Sequence, residues 1–173
     1  GCRVLDLGTG SGVLAGAALQ LGAAEVVATD LDPAALHLAE GRLRQIAPAT
    51  KIQFFQGSMW EVLAPEAQFD LVLANLPNFP ADQLKTDVRA AFWSVGGADG
   101  RKVLDPFLAG LPERLQMGGC AVFTQNRCVG LRMTLERLQA QGFVARVENT
   151  ALVPVSPDKI MALSQGNHEP EGL

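Results

Sequence analysis

Between a short apolar run and an alanine-rich stretch lies Asp6-Leu7-Gly8-Thr9-Gly10-Ser11-Gly12. Glycines so closely spaced let a chain turn tightly and let a ligand lie against the main chain. A dinucleotide-binding turn needs GxGxxG, whose third glycine packs a helix on a strand. Val13 stands at that third position, so the pyrophosphate fingerprint is missed, and the reason to expect NAD goes with it. The Lys-Ser/Thr of a phosphate-binding P-loop is missing as well. Asp30 follows the loop by about 20 residues, at the end of the next apolar run, where an acid can accept both hydroxyls of a ribose. A glycine-rich turn alone is also a plain strand-to-helix connection. Loop and acid together describe a site for a nucleoside rather than a nucleotide.

These residues need strands to hold them. Residues 2–7 are mostly apolar, as a strand buried on both faces should be. Residues 13–21 read as a helix and 25–29 as a second strand. Asp32 and Pro33 then cap and open a helix whose buried face is Leu36, Ala39, Leu43 and Ile46. Residues 51–56 and 69–74 are the third and fourth strands. Residues 78–100 are irregular and hold Phe92, Trp93 and the turn Gly96-Gly97-Ala98-Asp99-Gly100. A helix over 101–117 should break or kink at its prolines, 106 and 112. Residues 119–124 form a fifth strand, with Cys120 as a small core residue, and Leu131, Leu135 and Leu138 line the next helix. Residues 143–148 and 159–164 complete seven strands; only a short proline loop separates them, so the last should run antiparallel. The alternation gives one α/β domain over residues 1–164 with a mostly parallel sheet, followed by a polar tail, 165–173.

Composition narrows the class. The chain has 173 residues, 48% of them apolar and 18% charged, which suits one self-sufficient globular core rather than a disordered segment. Cys2, Cys120 and Cys128 are odd in number and never form CxxC, which excludes a disulfide framework and fits a reducing, cytoplasmic setting. With only His37 and His168, no metal is expected, and His37 reads as a solvated helix residue. No apolar run approaches a membrane span, and no export signal is present. A net charge of −4 gives no footprint for nucleic acid. The chain opens at Gly1 directly on a strand, without methionine, and reads as a piece of a longer protein.

DLGTGSG, followed by the acid of ATDLDP, resembles the opening of a class I S-adenosylmethionine-dependent methyltransferase. The likeness runs on through Asn75-Leu76-Pro77-Asn78, where amino-nitrogen methyltransferases carry Asn-Pro-Pro-Tyr. GGADG with the following RKVLDPFL is similar to the HemK-type branch, which methylates the glutamine of the GGQ loop in translation release factors. Arg101 and the Val-Leu-Asp after it look closer to the archaeal and eukaryotic version. The resemblance implies a Rossmann-like, doubly wound sheet and S-adenosyl-L-methionine as cofactor. Asp6, Gly8, Thr9, Gly10, Ser11, Gly12, Asp30, Leu31, Ser58, Met59 and Asn75 would then hold the cofactor. Asn75, Leu76 and Pro77 would be catalytic, and with Asn78 would meet the substrate. It also implies a release factor-like protein partner and, in related enzymes, a small activating subunit.

Three departures carry consequences. Leu76 replaces the first proline, Asn78 replaces the stacking aromatic with Phe79 one position late, and Ser58 replaces an aspartate that receives the adenine amino group. Serine accepts without the charge that strengthens such a bond. Asn-Leu-Pro-Asn can also be read as a turn ending a strand. Three functions stay open: transfer to a protein amide, transfer to the exocyclic amine of an RNA or DNA adenine, and a catalytically silent cofactor-binding module.

Overall fold

Val4 through Leu7 are all buried in β1 (Arg3–Leu7), the strand from which the glycine loop departs. The computed structural model of the protein describes residues 1–81, 93–155, 157 and 160. The chain divides into two compact units, Gly1–Asn75 with Ala109–Thr124 and Leu76–Leu108 with Gln125–Leu173.

In the first unit, α1 (Val13–Gln20), β2 (Glu25–Asp30), α2 (Pro33–Ile46), β3 (Lys51–Gln56) and β4 (Phe69–Ala74) alternate as the sequence suggests. With β5 (Leu115–Phe123) they form a sheet of order β3-β2-β1-β4-β5, in which every pair is parallel. The order reverses between β1 and β4, and ligands of open α/β sheets bind beyond the strand ends at such a reversal. Helices α1 and α2 cover one face through Val4, Ala15, Ala18, Leu19, Val26, Ala39 and Leu43. Asp32 caps α2 by accepting the Ala34 N–H at 2.8 Å, with Pro33 at the first helical position. Leu36, Ala39 and Leu43 are buried, but Ile46, in the last turn, is 44% exposed and leaves the expected core face.

β5 begins earlier than the expected residue 119. Phe69 pairs with Leu115 but Leu71 with Cys120, so extra residues bulge from β5 between those two pairs. Gly118 takes φ +80° there, and a Cβ on Gly119 would stand 3.0 Å from the Phe69 carbonyl oxygen. Cys120 is exposed rather than in the core, because β5 is an edge strand among the described residues.

The helix expected over 101–117 is shorter. It is α3 (Leu104–Arg114), continuous through Pro112 and ending two residues later. Its start is delayed because Arg101 and Lys102 belong to the preceding turn: Lys102 N–H donates to Gly96, and Arg101 N–H to the Asp99 carboxylate.

In the second unit, Arg101 is buried, and its guanidinium donates to the Val129 carbonyl (2.7 Å), Thr134 Oγ1 (3.1 Å) and Asp105 (2.7 Å). It thereby ties the glycine turn to α4 (Leu131–Ala140), where Leu138 is buried and Leu131 and Leu135 are half-buried. The expected strand at 143–148 is not formed. Those residues have no regular structure, and Val144 and Val147 are exposed; a strand needs a neighbour for its backbone groups, and none pairs with them among the described residues. Of 159–164 only Ile160 is described, and its backbone is helical. Phe92 and the tail 165–173 lie outside the described residues. The described sheet is therefore five-stranded and wholly parallel; the expected last, antiparallel strand falls almost entirely outside the described residues. Among the described residues no helix is long and apolar enough to cross a membrane.

Candidate cofactor and acceptor site

The site begins with a buried acid. Asp6 Oδ2 accepts from Thr9 Oγ1 at 2.7 Å and from the Ala15 N–H at 2.9 Å. It thus braces the loop and satisfies one of the open N–H groups at the start of α1, whose N-cap, Gly12, has no side chain to do so. Oδ1 is buried and has no hydrogen-bond partner among the described residues. Burial pushes the Asp6 carboxyl up to about 6, against the pull of its bonds from Thr9 and Ala15, and the Asp30 charge adds to the rise.

Backbone N–H groups of Gly8 and Thr9 both donate to Thr29, hooking the loop over the end of β2. Gly10 takes φ +54°, and a Cβ there would meet nothing within 4 Å, so no packing among the described residues requires a glycine. Gly12 is different: at φ +80°, its Cβ would stand 3.2 Å from that of Ala39, so this glycine lets α1 start against α2. Ser11 gives its carbonyl to Arg42 at 3.2 Å.

Asp30 lies across the loop. Its Oδ2 accepts the Gly10 N–H at 2.8 Å and its Oδ1 the Asp32 N–H at 2.9 Å. Each carboxylate oxygen keeps a further lone pair. Leu31 beside it is 52% exposed. Asp30 pairs in register with Gln56, so β3 ends at the same level and delivers Ser58 and Met59, both half-buried. Met59 adopts φ +48°, a left-handed conformation that costs a non-glycine residue about 1 kcal/mol. Trp60 packs on α3: a Cβ at Gly110 would come within 2.1 Å of the indole Nε1, so only glycine permits the contact. Sequence reasoning does not find this pair, since nothing local at Gly110 marks a close approach.

Leu7 pairs with Ala74, so Gly8 and Asn75 leave the sheet at the same level. Asn75 is exposed, and its Oδ1 accepts from Thr124 Oγ1 at the end of β5. The expected cofactor residues, from Asp6 in β1 through the loop to Asn75 after β4, thus all belong to the first unit. In the second unit Leu76 and Pro77 are half-buried and Asn78 is buried. Asn78 Nδ2 donates to the Leu76 carbonyl at 2.8 Å, and Phe79 is buried as well. Arg127 and Arg132 are exposed surface charges, and His37 on α2 is exposed as well.

The family model of the ribosomal protein L11 methyltransferases (PrmA) matches residues 1–97. Over 93% of its length the chain is 32% identical to a protein of Methanocaldococcus jannaschii provisionally named a protein N5-glutamine methyltransferase, covering 79% of it. The chain belongs to the class I S-adenosylmethionine-dependent methyltransferases. It is also 36% identical to the release factor glutamine methyltransferase of Bordetella pertussis over 68% of this chain and 45% of that one. A ribosomal protein L11 methylase structure from Lactobacillus delbrueckii subsp. bulgaricus superposes with a TM-score of 0.65 at 24% identity, over 87% of this chain and 65% of that one, which shows the fold. The chain therefore spans less than half of the Bordetella enzyme.

As in its family, the cofactor of this methyltransferase is S-adenosylmethionine. The residues present fit it: open space lies over Gly10, Asp30 retains acceptor capacity beside an exposed leucine, and Asn75 is exposed next to the loop.

Proposed function

We propose that this methyltransferase acts on a side-chain amide nitrogen, that of a glutamine in a release factor-like protein. The observation that carries the reading is Asn75, exposed at the strand end beside the glycine loop, with its amide oxygen fixed by the Thr124 hydroxyl. When bound, S-adenosylmethionine supplies a methyl carbon made electrophilic by its sulfonium sulfur. The loop Gly8, Thr9, Gly10, Ser11 and Gly12, braced by Asp6, would hold its amino-acid end. Asp30 would take the ribose hydroxyls, and Leu31, Ser58 and Met59 would border the adenine.

An amide nitrogen is a poor nucleophile because its lone pair is delocalised. Two acceptors that take both N–H protons hold the NH2 and favour a pyramidal nitrogen, whose lone pair is then free to attack. Asn75 Oδ1 and the Leu76 carbonyl, peptide-bonded neighbours with Pro77 behind them, are those acceptors in this reading. Each already receives one donor from the protein and keeps a lone pair for the substrate. No general base has to act first; the nitrogen releases its extra proton after the bond to carbon has formed.

A glutamine acceptor is supported by the relative named a protein N5-glutamine methyltransferase, which matches over 93% of the chain. A release factor enzyme and an L11 methyltransferase match over 68% and 71% of it, so the choice between those two acceptors falls to the labelling experiment. The net charge of −4 weighs against RNA or DNA. The activating subunit implied by the resemblance gains no support from these likenesses. Incubating the protein with methyl-labelled cofactor and, separately, a release factor, L11 and RNA tests the reading. Methylglutamine in the release factor, located by mass spectrometry, is the expected result. Label in L11 or RNA alone would replace the acceptor, and cofactor binding with no transfer would establish a silent module.

A further inference from the structure

Asn78 stands where an aromatic would contact the substrate, yet its side chain is turned into the protein and is 6% exposed. Its Oδ1 accepts twice from Asn126, from the backbone N–H at 2.8 Å and from Nδ2 at 2.7 Å. Asn126 Nδ2 also lies 3.3 Å from the Asn78 carbonyl. With two donors on its oxygen, the amide has one orientation, and its NH2 end faces the Leu76 carbonyl at 2.8 Å. The backbone behind it is closed in. A Cβ on Gly96 would stand 2.7 Å from Asn78 Cα, and one on Gly100 would stand 2.8 Å from the Asn78 oxygen. Phe79 donates to Ser94 and accepts from Gly96, so the next residue is held to the same turn.

We infer that Asn78 is a positioning residue: it fixes the Leu76 carbonyl and leaves one defined lone pair for the substrate N–H. This rests on the amide-methylation reading above. A carbonyl oxygen has two acceptor positions, and Nδ2 of Asn78 fills one of them. Leucine, unlike proline, does not fix its own φ, so a carbonyl at position 76 gains from a restraint outside its own ring-free backbone. Asn78 supplies that restraint, and Asn126 with the Gly96–Gly100 turn holds Asn78 in place.

The deciding variant is Asn78→Asp. The carboxylate keeps the shape and both bonds from Asn126 but has no proton for Leu76 and repels its carbonyl. The expected result is a fall in kcat of roughly 10- to 100-fold, because a misplacement of about 1 Å can cost about 100-fold in reactions that depend on orientation. Cofactor affinity should stay unchanged. The loss, taken relative to wild type, should reverse as pH falls and the new carboxyl gains a proton it can donate. A residue needed only for folding would lower the melting temperature without a pH-reversible kcat. An unchanged kcat in folded Asn78→Asp overturns the inference. If that variant does not fold, Asn126→Ala removes the Nδ2 donor that, together with the backbone N–H, orients Asn78, and should also lower kcat at constant cofactor affinity; unchanged kcat again overturns it. If the wild type methylates no amide, the proposed function is what fails. The Leu76 carbonyl carbon resonance then decides separately: it should move in Asn78→Asp, and an unmoved resonance rules out the restraint.

Discussion

Asp30 accepts the backbone N–H of Gly10 at 2.8 Å, so the acid at the end of β2 also sets the shape of the loop that follows β1. In the proposed function, where Asp30 takes the ribose hydroxyls, binding and loop geometry are coupled through one carboxylate. Oδ1, held by Asp32, keeps the group from rotating away.

Replacing this acid should weaken cofactor binding. Charge-assisted hydrogen bonds contribute roughly 1.5–3 kcal/mol, so Asp30→Ala should lower affinity about 10- to 100-fold. Asp30→Asn, which keeps one acceptor, should lose less. Calorimetric titration with S-adenosylmethionine reads both, and equal affinity for wild type and Asp30→Ala would assign the acid to the loop alone.

The glycines at 10 and 12 should separate binding from packing. Gly12→Ala combines φ +80° with a Cβ 3.2 Å from Ala39, and should destabilise the fold by about 1–3 kcal/mol. Gly10→Ala meets open space, so its conformational cost is about 1–2 kcal/mol and its larger effect should fall on cofactor affinity. Denaturant titration alongside calorimetry gives both quantities; the reverse pattern would exchange their roles.

Asp6 makes stability depend on pH. Its carboxyl rises from an ordinary value of 3.8 to about 6 on folding, so the folded state binds the proton more tightly. The stabilisation is fully present below the unfolded pKa and is lost as pH rises through about 6, an effect on the order of 2–3 kcal/mol. Asp6→Asn, which cannot ionise, should lack this slope. Unfolding titrations at pH 5 and pH 7.5, taken as the difference between wild type and variant, capture roughly half of it; parallel behaviour would mean Asp6 does not titrate there.

Asn75→Ala should affect rate more than fold. Removing one preorganised electrostatic contact costs about 100- to 1000-fold in turnover. Asn75 is exposed, so the melting temperature should change little. Cofactor affinity measured in the same variant separates acceptor contact from cofactor contact. A lowered melting temperature with full turnover would make Asn75 a strand-end cap.

The loop and its acid were legible because both sit on strand ends whose register brings them together: Leu7 pairs with Thr29, so Gly8 and Asp30 leave the sheet at one level. Periodicity likewise gives Leu36, Ala39 and Leu43. It misplaces Ile46 and Cys120, because burial at a helix end or a sheet edge depends on what lies beyond, not on the pattern within. Residues 143–148 have strand-like composition, but forming a strand requires a partner. Asn78 and Asn126 are 48 residues apart, and polar pairs of that separation leave no local trace.

The Trp60–Gly110 contact links two positions that mutation would otherwise treat as separate. Any side chain at 110 meets the indole, so replacing this glycine with a better helix former requires a smaller residue at 60 first. Trp60→Ala alone should leave a hollow over α3, and Gly110→Ala alone should force the indole out. Together they should be less harmful than the sum of the two, and the order in which a lineage acquires them is constrained. Substitution at 60 opens the path, and substitution at 110 then makes a return to tryptophan costly.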